Sequence, residues 1–459
     1  MELPRGIQLP NLGDYKESDS QFTLENGFPY SDNLVLVPIL RPPQGLYVPY
    51  EILFQVCCLV QTGCLPGPSL DANFFRLVDP QRRDIRYIEH ALENLYILND
   101  CCYEPVQWLK EQYDKYDKLR RLPKSRTRTL ADRLVDVRRV QVTPCKVYFC
   151  GPEVIVSNRV LRHFSEYIDN FLIVSFTDEE RNKMFPSDLS PRKGANENGR
   201  TEIYERILST LKNGIVIGDK EFQFLAYSSS QLKENSVWMF ASRPDLTAAD
   251  IRRWMGDFSE IRNVAKYAAR LGQSFGSSRE TLNVGNNEIE TIPDIKVRDA
   301  YRSTVEYVFS DGIGKISAQF ARQVATKYGL SSTPSAFQIR YGGFKGVVAV
   351  DPTSSKKLSL RLSMKKYESN NTKLDVLQFS KYQPCFLNRQ IITRLSTLGV
   401  EDVVFEKKQR EAVAQLDTIL TDPVKAHETL KLMAPGEIAK VLKEMLKCGY
   451  KPDSEPFLS

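Results

Sequence analysis

The sequence lacks the residue patterns that mark many hydrolases and zinc proteins. It contains only three histidines, His90, His163 and His427, and no Gly-x-Ser-x-Gly segment. Nucleophilic triads depend on a histidine base beside the nucleophile, so this shortage argues against a Ser/His hydrolase. No Cys-x-x-Cys pair is present that would complete a zinc site with these histidines. Both classes of protein are therefore disfavoured.

No Asp-x-Asp segment occurs anywhere in the 459 residues. The nearest acidic pair, Asp114 and Asp117, lies in a lysine-bearing helical stretch, where this spacing indicates surface charges rather than metal ligands. We therefore expect this chain to bind no metal. The net charge of +6 permits an anionic partner without requiring one.

The cysteines and the hydropathy pattern bear on the compartment. The nine cysteines include the adjacent pairs Cys57-Cys58 and Cys101-Cys102. Adjacent cysteines rarely bridge each other and nine is odd, so we expect an intracellular protein with reduced thiols, in the nucleus or the cytoplasm. The N-terminus has no apolar signal segment, and no run of about 18 apolar residues is available to span a membrane. We expect neither secretion nor a membrane partner.

The pattern of apolar residues divides the chain into regions. Residues 1–33 are rich in Gly, Pro, Asp and Ser and are predicted to be disordered or loosely ordered. Helical periodicity dominates 34–140, and mixed strand and helix signals follow over 141–300. Residues 301–400 show the clearest strand alternation, and 401–459 are helical again. The predicted fold class is α+β.

Two segments that contain glycine and lysine are the strongest candidates for a functional site. They are Asp311–Ser317 (DGIGKIS) and Arg340–Gly346 (RYGGFKG). Glycines let backbone N–H groups approach a phosphate, and Lys315 and Lys345 add positive charge. The residue order is not that of a P-loop, so a Walker NTPase is not indicated. A glycine-rich β-turn with an exposed lysine is the alternative for the second segment, and spacing alone favours it.

Strand alternation predicts further cations near these segments. In 358–364 (LSLRLSM) the apolar residues alternate strictly, which predicts a half-buried strand with Arg361 and Lys365 on its polar face. The same argument leaves Arg340 on the polar side of its own strand. We predict that Arg340, Arg361 and Lys365 form one cationic wall in a small barrel, suited to a triphosphate or a nucleic-acid backbone.

A separate basic stretch, residues 118–139, carries nine lysines and arginines against two aspartates. Such a run is more often a solvated face than a binding site, and phosphate contact is the second interpretation. The candidate RNA contacts in this stretch are Arg120, Arg121, Lys124, Arg126 and Arg128.

Several short segments, taken in their order along the chain, resemble one family. They include Pro144–Phe149 (PCKVYF), Phe224–Leu232 (FLAYSSSQL), Arg270–Phe275 (RLGQSF) and the two glycine-containing segments. The chain resembles the eukaryotic RNA-dependent RNA polymerases of RNA silencing, most closely the plant branch, over most of its length. The resemblance implies a helical and mixed slab region, then one double-psi β-barrel and a helical C-terminal connector.

The resemblance also implies an activity and a cofactor. In the family a second barrel carries an Asp-x-Asp-Gly-Asp loop that holds catalytic Mg²⁺. The sequence stops before such a loop, so we expect a truncated chain that lacks the catalytic aspartates and is inactive alone. The implied substrates are a single-stranded RNA template and nucleoside triphosphates. The product would be double-stranded RNA for small interfering RNA and gene silencing.

Matched position by position, the family assigns cations to this site. Lys345 matches the barrel lysine that faces the active cleft, Arg340 matches the arginine before it, and Lys315 lies in the Asp-Gly-Ile-Gly-Lys segment. The full set predicted to bind nucleotide or RNA phosphate is Lys315, Arg340, Lys345, Arg361, Lys365 and Lys366.

The last two lysines are alternatives for one role. Lys366 matches the lysine of the family's Arg-Pro-Ser-Met-x-Lys-Phe stretch, although Leu362 and Tyr367 replace its proline and phenylalanine. Strand parity instead favours Lys365, so both stay in the set.

Two other functions remain open at this point. The chain is alternatively a non-catalytic RNA-binding or regulatory fragment that partners a full-length polymerase or other silencing proteins. A non-functional remnant is the third interpretation, because half of a paired barrel core leaves apolar surface uncovered.

Overall fold

A computed structural model describes residues 42–98, 100–119, 134–190, 201–298, 306–381, 386–433 and 437–458. The chain divides into two compact units, residues 1–379 and 380–459. The helices of the first unit are α1 Tyr50–Gln61, α2 Ala72–Leu77, α3 Ile85–Leu98, α4 Pro105–Leu119, α5 Arg159–His163, α6 Glu202–Asn213, α7 Ser229–Lys233, α8 Ala248–Met255, α9 Val264–Leu271 and α10 Ala318–Tyr328. Those of the second unit are α11 Arg389–Thr397, α12 Asp402–Thr421, α13 Pro423–Met433 and α14 Glu437–Lys447.

All strands that the structure describes belong to the first unit. They are β1 Leu134–Val142, β2 Val147–Val156, β3 Phe171–Phe176, β4 Ile215–Ile217, β5 Lys220–Ala226, β6 Ser236–Ala241, β7 Arg279–Asn283, β8 Ile289–Ile292, β9 Lys296–Arg298, β10 Glu306–Val308, β11 Ile313–Ser317, β12 Ala336–Tyr341, β13 Phe344–Asp351, β14 Leu358–Arg361 and β15 Lys373–Phe379. They form a six-stranded sheet of order β2-β1-β3-β6-β5-β4, a seven-stranded sheet of order β7-β15-β12-β13-β11-β14-β8, and the pair β9-β10.

The six-stranded sheet is covered on both faces. Successive residues of its strand β3 point to opposite sides, and all of them are buried. Leu172 and Val174 enter one core with α1, α3 and α4, whereas Phe171 and Ile173 enter another with α5 and α8. This double coverage explains the nearly continuous apolar sequence of the strand.

The seven-stranded sheet is mixed. Strands β11 and β13 run parallel, as do β8 and β14, and the other pairings are antiparallel. In β12 the side chains of Phe337, Ile339 and Tyr341 are buried in one core with Phe320 of α10. Arg340 is left on the opposite face, as the alternation predicts.

Region boundaries differ from the sequence prediction in three places. The first strand begins at Leu134, within the range 34–140 assigned to helices. Strands β7 and β8 precede residue 301 yet belong to the seven-stranded sheet, where they are the two edge strands. The sequence prediction left them out because they lack the alternating apolar pattern of β12. The sheet ends at Phe379, so α11 falls inside the range predicted as barrel. Residues 1–33 lie outside the described residues.

The structure also differs from the prediction of a half-buried strand over 358–364. Strand β14 covers only Leu358–Arg361, and each of its residues is buried. A 3-10 turn, Leu362–Met364, follows it. The strict alternation predicted one open face, but both faces of the strand, which lies between β11 and β8, are buried, and Leu362 lies exposed on the turn.

The second unit is helical over the residues that the structure describes. Among its described residues the buried apolar side chains are Ala426, Ala439 and Leu446. Helices α13 and α14 contact each other. Among the described residues of both units, no helix has the length and apolar character needed to cross a membrane.

Candidate phosphate-binding site

The segment Arg340–Gly346 forms the hairpin between β12 and β13. Tyr341 pairs with Phe344, so Gly342 and Gly343 alone connect the two strands. Both glycines have positive φ, 49° and 84°, as a two-residue turn of type I′ requires. The segment is therefore a glycine-rich β-turn, but its Lys345 is half-buried and not exposed as in the alternative that spacing favoured.

Glycines in this region also allow two backbones to come together. A Cβ on Gly343 would lie 2.0 Å from the carbonyl oxygen of Tyr367, and one on Gly346 would lie 2.1 Å from that of Gly312. This second approach lies at the start of the parallel pairing of β11 with β13, which brings the two glycine-containing segments together. Backbone packing thus accounts for the glycines, and the lysines remain as the candidates for ligand contact.

Arg340 and Lys345 are cross-strand partners, so their side chains share the face opposite the buried Ile339. Partial burial lowers the pKa of Lys345, and the nearby cations Arg340, Arg270 and Lys366 lower it further. Mutual repulsion of this kind is relieved by an anion. We call Arg270, Arg340, Lys345 and Lys366 the cation cluster.

The guanidinium of Arg340 is only partly satisfied. Its Nη1 donates to the carbonyl oxygen of Ile339 at 2.9 Å. Its Nε is buried and has no hydrogen-bond partner among the described residues. Burial lowers the pKa of Arg340, and Tyr367 and Asp375 oppose that shift. An arginine held this way keeps hydrogen-bonding capacity for a ligand.

The structure separates Lys366 from Lys365. Both residues lie beside the hairpin, because the backbone N–H of Lys366 donates to the carbonyl oxygen of Gly343 at 3.0 Å and Lys365 is bridged to Phe344. The ammonium of Lys366 donates to the carbonyl oxygen of Ser363, and its charge lowers the pKa of Lys345. The ammonium of Lys365 instead pairs with Glu368 at 2.6 Å. Strand parity pointed to Lys365 because it assumed a strand through 364. The 3-10 turn breaks that parity and places Lys366 in the cluster.

The predicted wall of Arg340, Arg361 and Lys365 does not form. Arg361 is 8% exposed, and its Nε donates to the carbonyl oxygen of Ile313 at 2.8 Å. A second donor of Arg361 contacts the carbonyl oxygen of Pro293. This arginine therefore satisfies backbone carbonyls and is not placed to bind phosphate.

Lys315 is also committed to another residue. Its ammonium lies 2.7 Å from Asp351, a residue at the end of the neighbouring strand β13. The hydrogen bond from Lys315 holds the pKa of Asp351 well below its usual range. Lys315 therefore contributes little free positive charge, although it lies in the segment that the sequence singled out.

A buried ion pair adjoins the cluster. Asp375 on β15 is the cross-strand partner of Arg340 and is 2% exposed. It accepts a hydrogen bond from Arg162 of α5, and the hydroxyl of Ser278 donates to its Oδ1 at 3.4 Å. Burial raises the pKa of Asp375, against the opposing effect of Arg162. The carboxylate beside Arg340 is thus already engaged by another cation.

Sequence reasoning missed Arg270, Arg162 and Asp375. Arg270 is the first residue of the RLGQSF segment, one of those that carry the family resemblance. That resemblance marks the segment as characteristic of the family but does not show that Arg270 lies near Lys345. Asp375 interrupts the apolar run of β15 (KLDVLQF), and a charged residue inside such a run indicates a buried partner. The sequence does not show that Asp375 pairs with Arg162 or that Arg270 lies near Lys345, because the two members of each pair are far apart in the chain.

The basic stretch divides into two parts. The candidate RNA contacts Arg120, Arg121, Lys124, Arg126 and Arg128 lie outside the described residues. At its other end, Arg138 contacts Asp169, and Nε of Arg139 lies 2.9 Å from Glu153. These two arginines stabilise the first sheet through ion pairs.

In the part of the chain that the structure describes, no group of three His, Cys, Asp or Glu side chains is arranged to hold a metal ion. The described residues thus do not fit the catalytic Mg²⁺ that the resemblance implies, and no step of a reaction is assigned to a metal bound by them.

These features describe a mixed α+β protein with a cation cluster on one face of its seven-stranded sheet. Residues 142–459 match the family described as RNA dependent RNA polymerase, and residues 38–124 match its helical domain. The chain belongs to the RNA-dependent RNA polymerase family.

Relatives from plants support this assignment. The chain is 60% identical to RNA-dependent RNA polymerase 1 of Arabidopsis thaliana over all of its length and 42% of that protein's length. It is 42% identical to RNA-dependent RNA polymerase 2 of the same plant, over 97% of this chain and 40% of the relative. The chain therefore spans less than half the length of these relatives.

A solved structure shares the fold. The RNA dependent RNA polymerase QDE-1 from Thielavia terrestris superposes with a TM-score of 0.52 at 16% sequence identity. The similarity covers 70% of this chain and 40% of that chain. At this identity the likeness speaks for the architecture alone.

Proposed function

We propose that this chain contributes the cationic side of the substrate site in an RNA-directed RNA polymerase. Such an enzyme copies single-stranded RNA into double-stranded RNA, which feeds small interfering RNA production and gene silencing. The observation that carries the proposal is the convergence of Arg340, Lys345 and Lys366 at the β12–β13 hairpin. Family membership supplies the reaction class, a nucleotidyl transfer.

The seven-stranded sheet is, in this proposal, the first double-psi β-barrel of the polymerase, and the elements before it form the slab. The mixed pairing of its strands supports this assignment. Residues 401–459 are the helical connector. A superposition of the sheet alone on an experimental polymerase barrel tests the assignment, because a different strand order would contradict it.

The cluster suits the chemistry of chain extension. A 3′-hydroxyl attacks the α-phosphate of a nucleoside triphosphate, and negative charge accumulates on the departing pyrophosphate. Cations fixed in a partly buried site stabilise that charge more than water does. Mg²⁺, the cofactor of the family, supplies further charge stabilisation when bound, and none of the described residues is assigned to it.

Binding to the intact 459-residue chain tests the proposal. We expect the chain to retain single-stranded RNA with a strong salt dependence, log K falling by about 0.7 per phosphate contact for each unit of log salt. Arg340→Ala with Lys345→Ala should weaken retention and flatten the slope. Lys296→Ala, an ion-paired lysine on β9, is the matched control. Equal retention by both variants would remove the cluster from the site.

A second function, a non-catalytic RNA-binding or regulatory subunit, is favoured by one observation. The described residues combine a cation cluster with no acidic group arranged for a metal. Competition by ATP separates the two proposals. A polymerase site holds triphosphate as well as RNA, so ATP should displace RNA from the wild type. A purely RNA-binding surface should show no displacement beyond that of equal ionic strength.

We also propose an intracellular location, in the nucleus or the cytoplasm, and partnership with a full-length polymerase or other silencing proteins. Cys58, Cys64, Cys101, Cys102, Cys145, Cys150 and Cys448 are free thiols in the structure, in keeping with a reducing compartment. Purification of the tagged chain from plant nuclei and from cytosol tests both statements. If no polymerase co-purifies with the chain from either fraction, the partnership is contradicted.

A further inference from the structure

A cleft of about 800 Å³ lies beside the loop that precedes β15. One wall comes from α5, from the end of α8 and from the residues after α8, and it includes His163, Trp254 and Asp257. The other wall is the polar loop 368–372 (ESNNT). The backbone N–H of Asp257 donates to the carbonyl oxygen of Glu368 at 2.8 Å, so the two walls are tied together.

The first wall presents stacked aromatic rings. The imidazole of His163 lies nearly parallel to the indole of Trp254, with ring centroids 4.2 Å apart and an interplanar angle of 15°. Phe164 packs edge-on against the same indole at 5.2 Å, and the guanidinium of Arg159 lies 4.9 Å from its centroid. Trp254 is therefore held from several sides and fixes the plane of the exposed His163 ring. Such a ring is a platform on which a base stacks.

The ring of His163 is uncharged and not engaged by other groups. Partial burial lowers its pKa, and the charge of Arg159 lowers that pKa further. The imidazole is therefore mainly neutral at pH 7. Neither of its nitrogens makes a hydrogen bond to the described residues. The ring is thus available to a ligand.

Hydrogen-bonding groups with spare capacity line the cleft. The amide of Asn370 makes no hydrogen bond to the described residues, and that of Asn371 uses only its Oδ1, which accepts from the backbone N–H of Lys373 at 2.7 Å. One carboxylate oxygen of Asp257 accepts from the backbone N–H of Ser259 at 2.9 Å. Amides both donate and accept, and a carboxylate accepts. Together they match the mixed donor and acceptor edge of a nucleobase.

The charges in the cleft favour a base over a phosphate. Arg253 and Lys373 line it, but they pair with Asp250 and Glu280, each at 2.7 Å. Asp257 has no salt bridge to the described residues, and hydrogen bonds from Ser259 hold its pKa below the usual range. An ionised carboxylate without a cation repels phosphate, whereas it accepts hydrogen bonds from the amino and imino groups of a base.

The cleft adjoins the hairpin of the cation cluster. A Cβ on Gly342 would lie 3.5 Å from the carbonyl oxygen of Asn371 and 3.7 Å from that of Ser369. The loop that forms the polar wall therefore packs directly on the turn between the strands of Arg340 and Lys345. A strand of RNA with its phosphates at these cations passes beside the cleft.

We infer that the cleft holds one unpaired base of single-stranded RNA, stacked on the ring of His163. The amides of Asn370 and Asn371 and the carboxylate of Asp257 would hydrogen-bond its edge. The inference rests on the proposed function and adds to it a contact with a base, at residues outside the seven-stranded sheet, where the cation cluster contacts phosphate.

Two strands of equal length and charge test the inference on the intact chain, an ordinary single-stranded RNA and a strand of abasic ribose phosphates. Wild-type protein should bind the ordinary strand about tenfold more tightly, as expected from one stacked base. His163→Ala should lose most of this preference and keep the wild-type affinity for the abasic strand, which also shows that the variant is folded. His163→Phe keeps a flat ring and should keep the preference. Tyr103→Ala, which removes an exposed ring outside the cleft, is the matched control and should behave as the wild type.

The outcomes separate this inference from the proposed function. A wild-type preference in His163→Ala, or an equal loss for both strands, overturns the base contact. A preference lost equally in His163→Phe and His163→Ala overturns stacking. Arg340→Ala with Lys345→Ala should weaken both strands, because both carry phosphates. If that variant weakens both while His163→Ala keeps the preference, the inference fails and the proposed function stands. If it weakens neither while His163→Ala loses the preference, the proposed function fails and the base contact stands.

An abasic strand that carries a single 2-aminopurine follows the base directly, because stacking quenches its fluorescence. Quenching should accompany binding to the wild type and to His163→Phe and should be largely lost with His163→Ala. Equal quenching by all three proteins would place the base away from His163 and overturn the inference.

Discussion

Lys345 is the residue whose chemistry depends most on its neighbours. Its pKa is lowered by burial and then by Arg340, Arg270 and Lys366. A lowered pKa means that this lysine loses its proton at a lower pH than a free lysine does. Anions bind the protonated form, so phosphate affinity falls as the pH rises through that value.

The corresponding prediction concerns the alkaline range. Tripolyphosphate affinity of the wild type should decline earlier between neutral and strongly alkaline pH than that of Lys345→Arg, because arginine stays charged. Calorimetric titration across pH measures both curves. An identical decline in the two proteins would show that the titration of another group controls binding.

Glycines at the hairpin give a second prediction at this scale. Gly343→Ala should destabilise the protein by about 2 to 4 kcal/mol, since it adds left-handed strain to a collision with the Tyr367 carbonyl. Gly329→Ala has a similar φ of 80° but open space around it, so strain alone should cost about 1 kcal/mol. Urea unfolding measures both, and equal costs would contradict the close approach.

Elements differ in how far their sequences reveal them. Strand β12 was predictable because alternation alone assigns Arg340 to the polar face. Helix α8 begins after Thr247, whose side chain forms a capping box with Asp250, a start signal legible in the sequence. The prediction for strand β14 was wrong because both faces of the strand are buried, whereas apolar alternation predicts one exposed face. Edge strand β7 (RETLN) has no apolar alternation, so only its partner β15 defines it.

Helix α5 is joined to strand β15 by the ion pair of Arg162 and Asp375. Arg162→Met should cost about 3 to 5 kcal/mol, because it leaves the carboxylate of Asp375 buried without its partner. Adding Asp375→Leu should recover much of that loss, since burial opposes the charged form of both residues. Chemical unfolding of the single and double variants measures the coupling. A double variant as unstable as the sum of the singles would contradict it.

At the scale of the whole molecule, family and fold class were predictable and the site was predictable only in part. Short segments in a fixed order identify the family even though each is weak alone. The grouping of Arg340, Lys345 and Lys366 followed from the resemblance. The inclusion of Arg270 and the exclusion of Lys315 and Arg361 depend on partners that lie far away in sequence.

The two units should differ in stability. The first unit contains three buried apolar clusters, whereas the described part of the second buries only small sections of its helices. We expect amides of 386–433 and 437–458 to exchange with deuterium well before those of β12 and β13, because opening them exposes little apolar surface. Mass spectrometry of peptic fragments measures the difference, and equal protection would contradict it.

A crystal structure of the 459-residue chain grown with tripolyphosphate tests the central claim most directly. The account predicts phosphate density within hydrogen-bonding distance of Arg340 and Lys345, which are cross-strand partners. Density bound at Lys315 or Arg361 instead, or a hairpin whose cations point away from one another, would contradict it.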